Sequence, residues 1–578
     1  MTSYRTHELG KLSESNIDES VKVCGWVKKV RNLGELIFID LRDYTGYSQI
    51  VIQSGTDIFN EATSLRNEYV VQIEGKVQLR KDINPDMITG MIEVVASSLS
   101  IINEAETTPF IIDDETDGLE DLRLKYRYLD IRRDIIHNNL ILRNKAILNM
   151  RNYLNKINFL EVETPILTKA TPEGARDFLV PSRVNKGKFY ALPQSPQIYK
   201  NLLMIGGIEK YYQVARCFRD EDLRADRQPE FTQFDIEVSF HNEEDMFGLI
   251  EGFTKNIFKE TINVDIEDKF IRMTYDEVMN KYGVDKPDMR YELFINNVSD
   301  IFKDSDFKVF KDADYTKCLV LENKAQNYSR KDIEALEEVV KVFKAKGLAW
   351  LKVEGSELKG PIAKFLSSNE LQELKVNLSL QDNDLILFVA DNYEIVSAAL
   401  GNLRTYIAEK ENLIQEGYKF LWVTDFPLFE FDEEEQRYVA CHHPFTMPKD
   451  NTFLDNVIDT KARAYDLVLN GYELAGGSIR INQSDIQSKM FEYLGMDDKE
   501  AQDKFGFMLD AYKYGAPQHA GIAFGVDRLC MIMLGTENIR EVIAFPKNQS
   551  ARDVMMDCPT PANKQALEEL TISITEDK

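Results

Sequence analysis

The stretch Tyr212–Phe240 reads YQVARCFRDEDLRADRQPEFTQFDIEVSF. Two strand-like arms flank Asp222–Glu230, a loop whose charges alternate in sign. Side chains alternate along a strand, so Phe231, Gln233, Asp235 and Glu237 share one face, and Thr232, Phe234, Ile236 and Val238 share the other. One aromatic and three polar groups opposite an apolar face form a binding platform on a sheet. A solvated amphipathic hairpin is the alternative. Arg219, at the mouth of the hairpin, carries the charge to neutralise a phosphate, and Phe231 offers a face for a base.

Two other segments belong with this one. Gly521–Arg528 reads GIAFGVDR, a strand that ends at glycine and a helix with an arginine in its first turn, where anions are favoured. Phe159–Leu167 reads FLEVETPIL, and Pro165 lacks a ladder donor, which suits an edge or an interface. Before it, Ile136, Leu140, Ile147, Met150, Leu154 and Ile157 step by threes, fours and sevens along one helix face. Antiparallel strand runs with separated helices predict an α+β fold.

Nearer the N-terminus, Val21–Val30, Leu36–Leu41, Ser48–Gln53, Tyr69–Gln78 and Met91–Ile101 are β-rich runs separated by turn signals. Five strands in about 80 residues predict a small closed barrel of OB-fold type. Val21–Leu33 carries Lys22, Lys28, Lys29 and Arg31 with no acid, near Trp26 and Phe38. Basic groups beside stacking residues suit a single-stranded RNA loop. The lysines could equally form a solvated strand face, and Phe38 could be barrel core.

Composition sets the bounds. The 578 residues predict three or four domains. With 43% hydrophobic and 29% charged residues, global disorder is excluded. No apolar run approaches the roughly 20 residues of a membrane span, and the polar N-terminus does not read as a signal peptide. Six scattered cysteines without a Cys-x-x-Cys pair exclude a disulfide framework or a cysteine-rich zinc site and fit the cytosol. A net charge of −27 argues against sequence-blind coating of nucleic acid, while leaving room for a locally basic RNA site.

The three segments, taken in chain order (Phe159–Leu167, Tyr212–Phe240, Gly521–Arg528), resemble motifs 1, 2 and 3 of the class II aminoacyl-tRNA synthetases. Around them, Thr171–Arg183 (TPEGARDFLVPSR), Phe189–Met204 (FYALPQSPQIYKNLLM), Phe218–Asp235, His442–Thr446 (HHPFT) and Gly471–Ile481 resemble the aspartyl-tRNA synthetases of the bacterial type. The resemblance covers nearly the whole chain. It implies a multidomain α+β protein: an OB-fold anticodon-binding domain at 1–105, a linker at 106–130, an antiparallel-sheet catalytic domain at 131–286 and 418–558, an inserted α+β domain at 287–417, and an extension at 559–578. It also implies a cytoplasmic homodimer formed through motif 1, with ATP, L-aspartate and tRNA-Asp as substrates and Mg²⁺ as cofactor.

The same resemblance places Glu173, Ser195, Gln197, Lys200, Arg219, Asp235, His442 and Arg480 around aspartate. Lys200 and Arg480 suit its side-chain carboxylate; Glu173, Gln197 and Asp235 suit its ammonium. ATP is expected on Arg219, Asp220, Glu221, Gln228, Phe231, Glu473, Gly525, Val526, Asp527 and Arg528. Asp466 and Glu473 would hold Mg²⁺; they lie seven apart, a spacing that two turns of a helix would set on one face. Arg31, Phe38, Gln49 and Glu93 are expected at the anticodon, and His443 in a structural role. Ala475, where the family shows glycine, and Asn482, where histidine is frequent, are expected near the adenosine. The competing functions are a relative specific for asparagine or lysine and a non-catalytic RNA-binding descendant.

Overall fold

Strands β1 (Ser20–Asn32), β2 (Leu36–Asp43), β3 (Gly46–Gln53), β4 (Val70–Leu79) and β5 (Ile92–Asn103) close into a barrel of order β1-β2-β3-β5-β4. Alternation drives closure. Val21, Val23, Ile37, Ile39, Ile50, Ile52, Val71 and Ile73 point inward and are buried together. A bulge between Val27 and Lys29 resets β1 so that Arg31 pairs with Phe38. These details come from a computed structural model describing all residues except Met1, 172–173, 222, 433–435, 451–452, 454–455, 458 and 576–578. The barrel belongs to a compact unit that runs to Arg123, inside the expected linker; the remainder forms a second unit.

The second unit carries the long helix α1 (Asp134–Lys156) near its start and is built on an eight-stranded sheet. Its elements before the insertion include, in chain order, β6 (Leu160–Glu161), α2 (Gln197–Ile205), β7 (Lys210–Phe218), β8 (Glu230–Ser239), β9 (Ile271–Thr274) and α3 (Tyr275–Tyr282). An insertion follows, with its own five-stranded sheet: β10 (Ile295–Asn297), β11 (Tyr315–Leu321), β12 (Ala349–Glu354), β13 (Glu357–Lys359) and β14 (Leu385–Asp391), in the order β10-β11-β14-β12-β13, and then helix α4 (Tyr393–Lys410). The main sheet resumes with β15 (Phe420–Thr424), β16 (Ala464–Leu469), β17 (Tyr472–Ile479) and β18 (His519–Gly525), followed by helix α5 (Val526–Leu534).

The order of the main sheet is β9-β15-β16-β17-β18-β8-β7-β6. Pairing is antiparallel except at the two edges, where β9–β15 and β6–β7 are parallel. Motif 1 therefore supplies only a two-residue edge strand before Pro165, as the proline suggested. One face of the sheet carries Phe234, Ile236, Val238, Tyr465, Leu467, Ile522 and Phe524 onto α1 and the helix Glu243–Ile262. That helix starts on a reciprocal Asn242–Asp245 capping box. The other face holds the polar platform. Among the described residues no helix is long and apolar enough to cross a membrane.

Candidate active site

Strand register builds the site. Asp466 on β16 pairs with Gly476 on β17, Gly476 with Ala523 on β18, and Ala523 with Asp235 on β8. Residues paired across a sheet point to one face, so these four form a rung with an acid at each end and two small residues between. Three strand spacings separate the acids, about 14 Å. The next rung is Ser478, Gly521 and Glu237.

At one end is a buried charge quartet. Helix α2 turns Gln197, Lys200, Asn201 and Met204 inward, a helical stripe that is polar where it meets the platform. Lys200 Nζ lies 3.0 Å from Asp235 Oδ1 and 3.2 Å from Glu237 Oε2. Arg480 donates from Nε to Glu237 Oε1 at 2.9 Å and from Nη2 to Oε2 at 3.1 Å. Its Nη1 reaches Ser478 Oγ at 2.6 Å and His443 Nε2 at 2.5 Å. All four charged residues are at most 2% exposed, and two cations balance two anions. A methyl group on Gly521 would lie 1.8 Å from Glu237 Oε2, so glycine is required for the acid to fit.

The quartet's pKa pattern identifies its open valence. Burial raises carboxyl pKa values, but Arg480 and Lys200 overcome it and hold Glu237 down at about 2. At Asp235 burial prevails over Lys200 and the carboxyl is raised. Its Oδ2 is buried and has no partner among the described residues. Burial and the adjacent Arg480 keep His443 well below its usual value, so its imidazole is neutral. Lys200 donates to Asp235 and lies beside Glu237, and Arg480 Nη2 spends one of two donors. Among the described residues, Lys200 and Arg480 thus each keep a donor, and Asp235 Oδ2 is left as an acceptor.

Beside the rung, toward the β7–β8 loop, Arg219, Glu221, Gln228, Phe231, Glu473, Gly525, Asp527 and Arg528 line one cleft of about 170 Å³. The Arg219 guanidinium lies over the Phe231 ring, 5.1 Å from its centroid. Arg528 is held by the Glu473 carbonyl and by Asp226 at 3.1 Å. Gln228 exchanges hydrogen bonds of 3.0 and 2.8 Å with the Lys547 backbone, which shapes the wall. Two expected contributors stand apart: Asp220 is exposed and its amide donates to the Arg176 carbonyl, and Val526 is buried in the core. Asp527 lines the cleft, but its carboxylate is taken by Arg143 and the Thr232 amide.

Asp466 and Glu473 do come together, but not on a helix. They face each other across the β16–β17 hairpin, whose two-residue turn is Asn470-Gly471. Asn-Gly between two apolar runs is the strong short-range hairpin signal, and the seven-residue spacing imitated two helical turns. A methyl group on Gly476 would lie 2.9 Å from Asp466 Oδ1 and 3.3 Å from Glu473 Oε1. Burial and the neighbouring Asp466 raise the Glu473 carboxyl. Two acids that repel each other, with oxygen donors over a glycine floor, fit Mg²⁺ shared with phosphates and water. Among the described residues no cluster of three potential ligands surrounds them. His442 Nε2 lies 3.3 Å from Asp466 Oδ1 and packs edge-on to Phe426. Burial lowers a histidine, but Asp466 pushes this one up to about 10.

Ser195 Oγ accepts from the Gln197 amide at 3.3 Å and lines a separate cavity of about 270 Å³ with Lys169, Asp177 and Phe507. Gln197 bonds Asn201 at 2.9 Å. Glu173 lies outside the described residues. Ala475 points its methyl into the core, and Asn482 bonds Ala516 beyond Arg480, so neither faces the nucleotide cleft. Sequence reasoning assigned no role to Glu237, Ser478 or Asp226; the alternation in β8 had already placed Glu237 beside Asp235.

On the barrel, Ile37 and Ile39 face the core while Phe38 faces out, so Phe38 is not core. Arg31 donates to Asp40 at 2.9 Å and to Gln49 at 3.2 Å. Gln49 donates to Glu93 at 2.8 Å. Arg80 and Gln78, which the sequence reading omitted, join the same network at 3.0 and 2.8 Å.

A family model described as tRNA synthetases class II (D, K and N) matches residues 119–549, and one described as OB-fold nucleic acid binding domain matches residues 21–102. The chain belongs to the class II tRNA synthetases of this D, K and N group. It is 52% identical over 582 residues to an aspartate–tRNA ligase of Macrococcus caseolyticus (strain JCSC5402), covering 99% of this chain and 98% of the relative. It is also 52% identical over 586 residues to an aspartate–tRNA(Asp/Asn) ligase of Geobacillus sp. (strain WCH70), covering 99% of each. At that identity and coverage the chain is an aminoacyl-tRNA synthetase of the aspartate–tRNA ligase family. Its fold is similar to a putative aspartyl-tRNA synthetase from Leishmania major Friedlin (TM-score 0.60, 18% identity, covering 95% of this chain and 94% of that one). An asparaginyl-tRNA synthetase from Pyrococcus horikoshii matches with TM-score 0.59 at 20% identity, covering 93% of this chain and 97% of that one.

Proposed function

We propose that the chain activates L-aspartate with ATP to aspartyl-adenylate and pyrophosphate, and then passes aspartate to the 3′-terminal adenosine of tRNA-Asp. The observation that carries this reading is the open valence of the quartet. The two spare donors of Lys200 and Arg480 match the two oxygens of a side-chain carboxylate, and the bare Asp235 Oδ2 accepts an ammonium. Asparagine would place an amide NH₂ against one of those donors, and lysine would add a cation beside two.

With aspartate seated there, its α-carboxylate faces the nucleotide cleft. One carboxylate oxygen attacks the α-phosphorus, and the bond to pyrophosphate breaks. Arg219 neutralises the α-phosphate, Phe231 stacks the adenine, and Arg528 holds the γ end. Asp466 and Glu473 would hold Mg²⁺, which screens the phosphate charge when bound. No protein nucleophile takes part: catalysis is orientation and preorganised charge. The barrel face of Arg31, Phe38, Gln49 and Glu93 takes the anticodon. Exposed Ile141 and Leu148 on α1, with Leu160, Ile166 and Leu167 after it, support a homodimer through motif 1. A cytoplasmic site of action fits the scattered free cysteines.

ATP–pyrophosphate exchange with each of the twenty amino acids tests the reading. Exchange with aspartate alone is expected; exchange driven as well by asparagine or lysine, or none at all, would overturn it.

A further inference from the structure

The hairpin that carries Asp466 and Glu473 is gripped by the root of the insertion. Its turn residues Asn470 and Gly471 have φ of 52° and 89°. The chain leaves the main fold for the insertion near Asp288 and returns near Gly417, and the turn lies between those two crossings. On the returning side, Asn470, 8% exposed, donates from Nδ2 to the Gly417 carbonyl at 2.9 Å and accepts from the Lys419 amide at 3.0 Å. On the outgoing side, a methyl on Gly471 would touch Asp288 Cβ at 3.4 Å. Arg290 forks onto the Asp288 carboxylate at 2.7 to 3.1 Å, and the Gln415 amide bonds the Arg290 carbonyl at 3.2 Å, joining the two crossings.

One side chain of the insertion sets this root. Arg404 on α4 is fully buried and donates to no carboxylate among the described residues. It donates instead to the carbonyls of Leu293 and Asp288, each at 2.7 Å, and to the Tyr291 hydroxyl at 2.9 Å. Its guanidinium is stacked between Tyr291 and Tyr282, 4.0 and 4.9 Å from the ring centroids. Helices α3 and α4 meet backbone to backbone there. A methyl on Gly283 would lie 2.4 Å from the Ser397 carbonyl oxygen, and one on Gly401 2.9 Å from Gly283. A buried cation satisfied by backbone carbonyls fixes the path of those carbonyls; it does not simply glue two surfaces.

We propose that Arg404 and Asn470 are positioning residues for adenylation: the insertion root clamps the β16–β17 turn and thereby sets the separation of Asp466 and Glu473. The proposal rests on the reading that this acid pair takes Mg²⁺. A hairpin held at both flanks of its turn keeps two repelling carboxylates in one geometry before the ion arrives. A released hairpin lets them part, and more Mg²⁺ is then needed to bring them together.

The test is aspartate-dependent ATP–pyrophosphate exchange of the full-length enzyme, titrated with Mg²⁺ at fixed ATP, together with the Mg²⁺ midpoint of the rise in melting temperature, which reads the same acid pair without turnover. Arg404→Met removes the carbonyl clamp. Asn470→Gly removes only the side-chain clasp, since glycine accepts the turn's positive φ. Each is expected to raise the Mg²⁺ concentration for half-maximal exchange about three- to thirtyfold, with KM for aspartate within about twofold of the parent. The double variant should be little worse than the stronger single one, because both act on one turn. A merely structural role would lower the active fraction and leave the Mg²⁺ midpoint where it was. That result in folded protein overturns the proposal, and Asn470→Gly decides alone if Arg404→Met does not fold. Glu473→Gln separates the two layers. If it leaves the Mg²⁺ midpoint unmoved, the metal reading itself fails and the clamp falls with it. If it moves the midpoint while both clamp variants do not, only the clamp fails.

Discussion

The two ends of the platform solve opposite electrostatic problems. At the quartet, Lys200 and Arg480 face Asp235 and Glu237, and the charges cancel before any substrate is present. At the β16–β17 hairpin, Asp466 and Glu473 face each other, and among the described residues the ion pair either acid makes is that of Asp466 with His442. A balanced, buried network keeps a fixed shape and reads a ligand by the few valences left over. An unbalanced acid pair keeps an appetite for a cation and acquires its working shape when one arrives. On the proposed function, selectivity for the amino acid belongs to the rigid end, and dependence on metal to the acid pair.

Breaking the rigid end should cost most. Arg480→Leu strands Glu237 with Lys200 alone, and removing one partner of a buried pair costs about 3–5 kcal/mol of stability. The same change should lower kcat/KM for aspartate by about 10²–10⁴, the range for truncating a buried charge partner. Thermal melting and exchange kinetics read the two effects; a variant that melts with the parent and still prefers aspartate would show that the quartet is not the selector. Acid titration sharpens the point. Glu237 is held at about 2, below its ordinary 4.5, so its stabilisation is complete above 4.5 and is lost as pH falls through about 2. Glu237→Gln should flatten the pH dependence of the melting temperature in that window.

At the nucleotide end, Arg219→Ala should slow exchange about 10²–10³-fold, because one preorganised donor to a developing charge is worth about 2.7–4 kcal/mol. Affinity for aspartate should hardly change, and exchange within tenfold of the parent would remove Arg219 from the α-phosphate. Glu473→Gln should act in two directions. Exchange should fall by about 10²-fold as the metal loses a charged ligand. Melting of the metal-free protein should rise, because the repulsion from Asp466 is relieved. Had the pair been a passive surface feature, neither quantity would move.

Legibility from sequence follows the same division. Where one rule governs a segment, the sequence was enough. Alternation defined all five barrel strands and both faces of β8, and the glycine before Val526 marked where α5 begins. Where two periods coincide, it was not. Asp466 and Glu473 are spaced for a helix, yet Asn470-Gly471 between them makes a hairpin, and the turn signal outweighs the spacing. The quartet was half legible. Lys200, Asp235 and Arg480 came from family resemblance, while the role of Glu237 depends on β18 lying beside β8 and β17 beside β18, long-range pairings that no local pattern encodes. Phe38 could be placed outside the barrel only once the register fixed Ile37 and Ile39 within it.

The smallest expected effect tests whether either end of the platform depends on the barrel. Phe38 faces outward beside Arg31, its cross-strand partner, within reach of the network of Gln49, Arg80 and Glu93. A base stacked on an aromatic is worth about 1–3 kcal/mol, or roughly 5- to 150-fold in affinity. Activation needs no tRNA, so Phe38→Ala should leave pyrophosphate exchange and its Mg²⁺ dependence as in the parent. It should raise KM for tRNA in aminoacylation by a factor in that range. Because the ring is not in the barrel core, the melting temperature should stay close to the parent's, whereas truncating a core phenylalanine costs about 3–5 kcal/mol. A stable barrel with unaltered charging would show that Phe38 does not touch the anticodon. A change in exchange without tRNA would show that the platform's two ends are not, as their separate charge balances imply, complete within the second unit.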